Sequence, residues 1–115
     1  MKPSGLDRLF KPQSIAVIGA AMAPQKAGHV VIRHLLAGQF KGPILPVSPH
    51  SRAIAGVLAY PDIASLPLSP DLAIVCTRHE RVLPLIAELG KKGTGAAIIL
   101  APALSGDERQ RPRQL

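Results

Sequence analysis

The chain reads as an α/β protein, a Rossmann-like three-layer domain whose sheet is mostly parallel and whose C-terminal part is incomplete. Three observations predict this. Four short apolar runs rich in Val, Ile, Leu and Ala recur along the chain, the composition of strands buried on both faces. Amphipathic helical patterns separate them, the alternation expected of parallel β units. The first run ends in a glycine turn that leads into a helix, in the stretch SIAVIGAAMAPQKAG over residues 14–28.

Residues 1–13 form an arm. Leu6, Leu9 and Phe10 make one face of a helical turn with Asp7 and Arg8 outward, and Pro12 stops it. The turn is expected to pack on a sheet edge and deliver the chain into the first strand, Ile15-Ala16-Val17-Ile18. A helix is predicted over residues 26–36, with Val30, Val31, Ile32 and Leu35 on the sheet, Arg33 and His34 in water, and Gly38 as stop signal.

The second strand, Ile44-Leu45-Pro46-Val47, contains a proline that has no N–H for a ladder, which predicts an edge position. Gly56-Val57-Leu58-Ala59-Tyr60 suits a very short strand or an irregular excursion, and residues 61–67 a helical turn beginning near Pro61. A third strand covers residues 72–76. The helix after it carries a stripe of Val82, Leu83, Leu85, Ile86 and Leu89. Thr77 is the expected N-cap, Glu80 completes a capping box, Pro84 distorts the first turn and Gly90 ends the helix before Lys91 and Lys92. The last strand covers residues 96–100, and residues 105–115 read as a polar tail. The domain proper is thus expected over residues 14–104.

A strand, a tight glycine turn and a helix present free N–H groups and the positive end of a helix dipole to a phosphate. This points to a nucleotide-type ligand at Gly19, Ala20, Ala21, Lys26 and Gly28. The dinucleotide fingerprint Gly-x-Gly-x-x-Gly and the Walker pattern are both absent. The bland alternative is that Gly19 ends a buried strand and Gly28 lets a helix pack close. Residues 48–52, Ser-Pro-His-Ser-Arg, emerge at the same rim, where hydroxyl, imidazole and guanidinium groups suit ribose or phosphate, or simply make a polar turn.

Composition narrows the classes. The chain has 115 residues, 47% apolar and 18% charged, enough for one core. Its net charge of +7 comes from basic residues dispersed along it, with Arg109, Arg111 and Arg113 near the end. With only 3% aromatics and no basic stripe, a polyanionic small ligand fits better than nucleic acid. Apolar runs are strand-sized, so no membrane span is expected. The single cysteine, Cys76, fits a reducing, cytoplasmic setting and a packed strand end better than a nucleophile, because no base accompanies it. The histidines His29, His34, His50 and His79 lack zinc spacing, so neither a metal nor a catalytic residue is expected.

Four segments taken in order, LFKPQSIAVIGA (9–20), KAGHVVIRHLLAGQFKGPILPVSP (26–49), GVLAYPDIASLP (56–67) and PDLAIVCTRHERVLPLIAELGKKG (70–93), resemble the N-terminal coenzyme A–binding domain of the nucleoside-diphosphate-forming acyl-CoA synthetases. That group includes the ADP-forming acetate–CoA ligases, is similar to the succinyl-CoA synthetase alpha subunit, and shares the domain with bacterial protein lysine acetyltransferases. The resemblance implies CoA or acyl-CoA as ligand, with phosphates on the Gly19–Gly28 loop. Ser48, Pro49 and His50 stand where the family has Asn-Pro-Lys at the nucleotide end. Cys76, Thr77 and Arg78 stand where it has Ala-Thr-Pro beside the pantetheine arm. Ala21 replaces a common serine, His50 a lysine and Arg78 a proline, so the His50 charge becomes conditional at neutral pH. The family's ligase and ATP-grasp domains do not fit in this length. The resemblance therefore implies a module without activity of its own, truncated or split, that works with a separate ligase or ATP-grasp subunit or as a homo-oligomer. Competing readings are an NAD(P)-binding Rossmann protein, weakened by the lack of an acidic residue ending the second strand, and a remnant that binds no ligand or serves only as a surface for a partner.

Overall fold

A computed structural model of the chain describes residues 5–100. Among these, the strands β1 (Ile15–Ile18), β2 (Ile44–Val47), β5 (Leu72–Val75) and β6 (Ala96–Ile99) form a parallel sheet in the order β2-β1-β5-β6. The helices are α1 (Gly5–Phe10), α2 (Ala27–Ala37) and α3 (His79–Lys92), and β3 (Ala53–Ile54) pairs with β4 (Val57–Leu58) in a separate hairpin. Every residue of β1 is buried, as its apolar run predicts for a central strand. In register, Ile15 lies between Ile44 and Leu72, and Ile18 between Val47 and Val75.

The sheet separates two cores, which makes the three layers. On one face Ala16, Ile18, Leu45, Val47, Ala73 and Val75 pack with Leu85 and Leu89 of α3 and with Ile63 and Leu66. On the other, Ile15, Val17 and Leu72 pack with Ile32 of α2, Ile54 of the hairpin and Leu9 of α1. The α/β architecture expected from the sequence is the one observed.

β2 is an edge strand, as Pro46 requires. The carbonyl of Pro46 accepts from Tyr60 N–H at 2.8 Å, and Ser48 N–H donates to the Tyr60 carbonyl at 2.8 Å. The missing N–H of Pro46 therefore falls on the outer side of the sheet, where no ladder bond to β1 is lost. The hairpin closes through Ala55 (φ 51°) and Gly56 (φ 84°), a two-residue turn with both central residues left-handed. Residues 61–67 make a hydrogen-bonded turn and not a helix. Ser65 donates from its N–H and hydroxyl to Asp62 Oδ1, which holds that carboxyl below its usual range.

Several local expectations are corrected. Arg8 turns inward: its Nη1 donates to Gly93 O at 3.1 Å and its Nε lies 3.8 Å from Asp71 Oδ1, while Leu6 and Phe10 face solvent. A cation that can reach a carbonyl and a carboxylate across the strand start outweighs the amphipathic count of a six-residue helix. Val30 and Leu83 are exposed, because each sits on the flank of its helix away from the sheet. The capping box does not form: Arg78 is the N-cap of α3 and makes no side-chain cap bond. Helix α3 also runs through Gly90 to end at Gly93 (φ 93°), where Thr94 N–H reaches Leu89 O and Gly93 N–H reaches Gly90 O. This is the Schellman arrangement, and it needs the left-handed residue that only the second glycine supplies. Pro84 lies beyond the first turn of α3, on the exposed face, and the helix continues through it. The polar tail read at 105–115 lies outside the described residues.

Candidate functional site

The carboxyl ends of β1, β2 and β5 converge on Gly19. Its N–H donates to Val47 O at 3.1 Å, and that of Ala20 to the same carbonyl at 3.2 Å, so the turn after β1 is stitched to the end of β2. Cys76 N–H donates to Ile18 O at 2.8 Å. Gly19 has φ 88°, and a Cβ there would lie 2.7 Å from Cys76 O and 2.9 Å from Thr77 Cγ2. Only glycine meets both the backbone angle and the space. The loops carrying Gly19–Ala21, Ser48–His50 and Cys76–Arg78 thus share one rim.

Helix α2 starts against this turn. A Cβ at Gly28 would fall far inside contact with the Gly19 carbonyl oxygen and 2.8 Å from Ala20 Cα. Gly28 is therefore a close-approach glycine, which brings the amide end of α2 onto the β1 turn. Lys26 is the N-cap, extended (ψ 144°) and without a side-chain cap bond; its carbonyl accepts from His29 and Val30 N–H, which leaves the N–H groups of Ala27 and Gly28 without a cap beside the β1 turn. The loop before it carries Ala21, half-buried, and Lys26, exposed.

The two helix starts differ in charge. Glu80 lies in the first turn of α3 and already complements its dipole. No acidic residue lies in the first turn of α2, and no Asp or Glu occurs anywhere between Asp7 and Asp62. Within that interval stand Lys26, Arg33 and Arg52 with His29, His34 and His50. The dipole of α2 is thus left without an acidic complement, whereas that of α3 has Glu80.

Ser48 is buried at the end of β2, whereas Pro49, His50 and Arg52 are exposed beyond it. Cys76 and Thr77 are half-buried and Arg78 is exposed. Burial pushes the Cys76 thiol up to about 11, so it stays protonated at neutral pH and lines the rim as an apolar group. The Thr77 hydroxyl makes only a long 3.4 Å contact to Arg78 O. No three candidate metal ligands cluster among the described residues.

One residue was not singled out from the sequence. His29, in the first turn of α2, is buried, and its Nδ1 lies 2.9 Å from the Ala21 carbonyl, tying helix to loop. Its sequence signal was the position just after Gly28, one turn before Arg33.

Residues 13–111 match the family model described as a CoA binding domain. The chain belongs to the CoA-binding domain family. The match includes most of the segment read as a tail. Among curated relatives, the trans-feruloyl-CoA synthase FCS1 of an unknown prokaryotic organism is 32% identical over 100 residues, covering 87% of this chain and 14% of that protein. The alpha subunit of ADP-forming acetate–CoA ligase II from Pyrococcus furiosus is 34% identical over 108 residues, covering 92% and 23%. The solved dinucleotide forming acetyl-coenzyme A synthetase 1 of Ca. Korarchaeum cryptofilum, in complex with phosphate and ADP, superposes with a TM-score of 0.80 at 33% identity, covering 94% of this chain and 24% of its own. This CoA-binding domain thus spans less than a quarter of each of these relatives. It is a CoA-binding module related to the ADP-forming acetate–CoA ligases. No described helix is long and apolar enough to cross a membrane.

Proposed function

We propose that the rim holds coenzyme A with its diphosphate on the N-terminus of α2, and that this domain supplies binding and not catalysis. One observation carries the reading: an uncapped helix start packed on a glycine turn, in a stretch that contains no carboxylate. Amide dipoles and unopposed cations together favour a polyanion. Gly19, Ala20, Ala21 and Lys26 would surround the diphosphate, with Gly28 setting the distance of approach. Ser48, Pro49 and His50 border the nucleotide end. Cys76, Thr77 and Arg78 line the path of the pantetheine arm, where a protonated, half-buried thiol offers packing and no nucleophile.

The chemistry of acyl transfer would come from ligase or acyltransferase units elsewhere, on a partner subunit or a linked domain. The Pyrococcus furiosus relative is itself described as one subunit of a ligase, which supports a partnered module.

Isothermal titration of the purified chain with CoA, beside NADP, tests this. Saturable one-site heat with CoA and little with NADP is expected. No heat with CoA from protein shown to be folded by circular dichroism would overturn it.

A further inference from the structure

A second recess adjoins the rim. An open cavity of about 450 Å³ lies between α2 and the β3–β4 hairpin, lined by His29, Arg33, Leu36 and Ala55. That volume suits a small-molecule subsite. Its lining is two-sided in chemistry. Arg33, one helical turn from His29 on α2, supplies guanidinium donors and His29 a ring nitrogen, while Leu36 and Ala55 supply apolar contact.

His29 is held in place. Nδ1–H donates to the Ala21 carbonyl, so Nε2 is the ring nitrogen left for a ligand, and it donates to a phosphate in the imidazolium form. The same bond joins the recess to the loop that borders the α2 N-terminus. The Arg33 side chain makes no hydrogen bond or ion pair with any described residue, so its guanidinium is available for bidentate contact with a phosphate. No carboxylate lies in α2 or the hairpin to neutralise either group. Ala55 stands at the hairpin tip (φ 51°), and its methyl group forms that wall.

We propose that this recess binds the phosphorylated adenosine end of coenzyme A, with Arg33 and His29 on the ribose 3′-phosphate and Leu36 and Ala55 against apolar surface of the nucleoside. The inference rests on the coenzyme A reading above and adds to it a specificity subsite on α2. The 3′-phosphate is what distinguishes coenzyme A from its dephospho form, so Arg33 would read that group.

The test is the ratio of affinities for CoA and 3′-dephospho-CoA, by isothermal titration, in the unaltered chain, Arg33→Gln and Arg33→Lys. Arg33 is exposed, and unchanged circular dichroism and thermal midpoints would verify that the variants fold. The unaltered chain is expected to prefer CoA at least about tenfold, as one charge-assisted contact predicts. Arg33→Gln should bring the ratio close to one by weakening CoA alone, and Arg33→Lys should restore part of it. A ratio unchanged in Arg33→Gln, with CoA still bound, would overturn the subsite and leave the rim reading intact. Absence of CoA binding to the unaltered chain would overturn both.

Discussion

The two halves of the domain repeat one grammar, strand then helix then strand, to different ends. Residues 15–60 form a closed half: β1 is wholly buried, the outer edge of β2 is bridged by Tyr60, and the hairpin packs Ile54 into the core beneath α2. They contain no carboxylate. Residues 72–99 form an open half. Among the described residues β6 is an edge strand with Ile98 and Ile99 exposed, and Leu83 of α3 is 80% exposed. Glu80 and Glu88 lie on its helix. The difference teaches that a shared strand–turn–helix shape does not make a phosphate site. What distinguishes the two helix starts is the close-approach glycine and a first turn without a carboxylate, and α2 alone has both.

The largest expected effect breaks the geometry of the closed half. Gly28→Val places a branched side chain against the backbone of Gly19 and Ala20. It should destabilise the fold by about 3 kcal/mol and abolish CoA binding with it, as overpacking without room to relax does. Urea unfolding checks the first part. A stable variant that merely fails to bind would show that Gly28 acts on ligand alone.

A paired reversal of charge asks which helix start holds the anion. Lys26→Glu is expected to weaken CoA binding about tenfold or more, consistent with loss of a charge-assisted contact. Arg78→Glu should change it far less, because Glu80 already complements α3. Equal losses in titration would place the diphosphate between the two helices and erase the distinction.

His50→Lys sharpens the comparison in the opposite direction. A permanent charge at the end of β2 should tighten CoA binding a few-fold at neutral pH, and the gain should shrink as salt rises. A gain that is indifferent to salt would count against phosphate contact.

The smallest effect belongs to Cys76, on the open half's share of the rim. Its folded thiol titrates at about 11, above the ordinary 9.0. The folded state thus resists thiolate formation, and stability is unaffected below pH 9 and falls as pH rises towards 11. Cys76→Ala should remove that part of the alkaline loss. Thermal midpoints of both proteins between pH 8 and 11 should converge upward in pH, and parallel curves would exclude a buried thiol.

Much of the fold was legible locally. The four sheet strands were readable to within a residue, because each is a continuous apolar run bounded by Gly, Pro or polar residues. The edge position of β2 was legible in Pro46. The first strand of the hairpin was not, since Ala53-Ile54 pairs with only two residues and carries no period. The end of α3 was misplaced because Gly90 and Gly93 are equal candidates by composition. Only the backbone angle, set where the chain must turn into β6, selects the latter. The capping box failed because Thr77 packs its methyl beside Gly19 and the helix starts one residue later, with Arg78 as N-cap.

The layered α/β plan, the family resemblance and the three loops of the rim follow from the order of residues, because buried runs and glycine turns are local properties. Only the tertiary structure decided that Gly28 is a spacer between helix and strand, that Arg8 closes on Gly93 and Asp71, and that His29 and Arg33 line a recess with the hairpin tip. Those facts depend on which surfaces meet when the sheet closes, and contacts between residues distant along the chain leave no period or motif in any one segment.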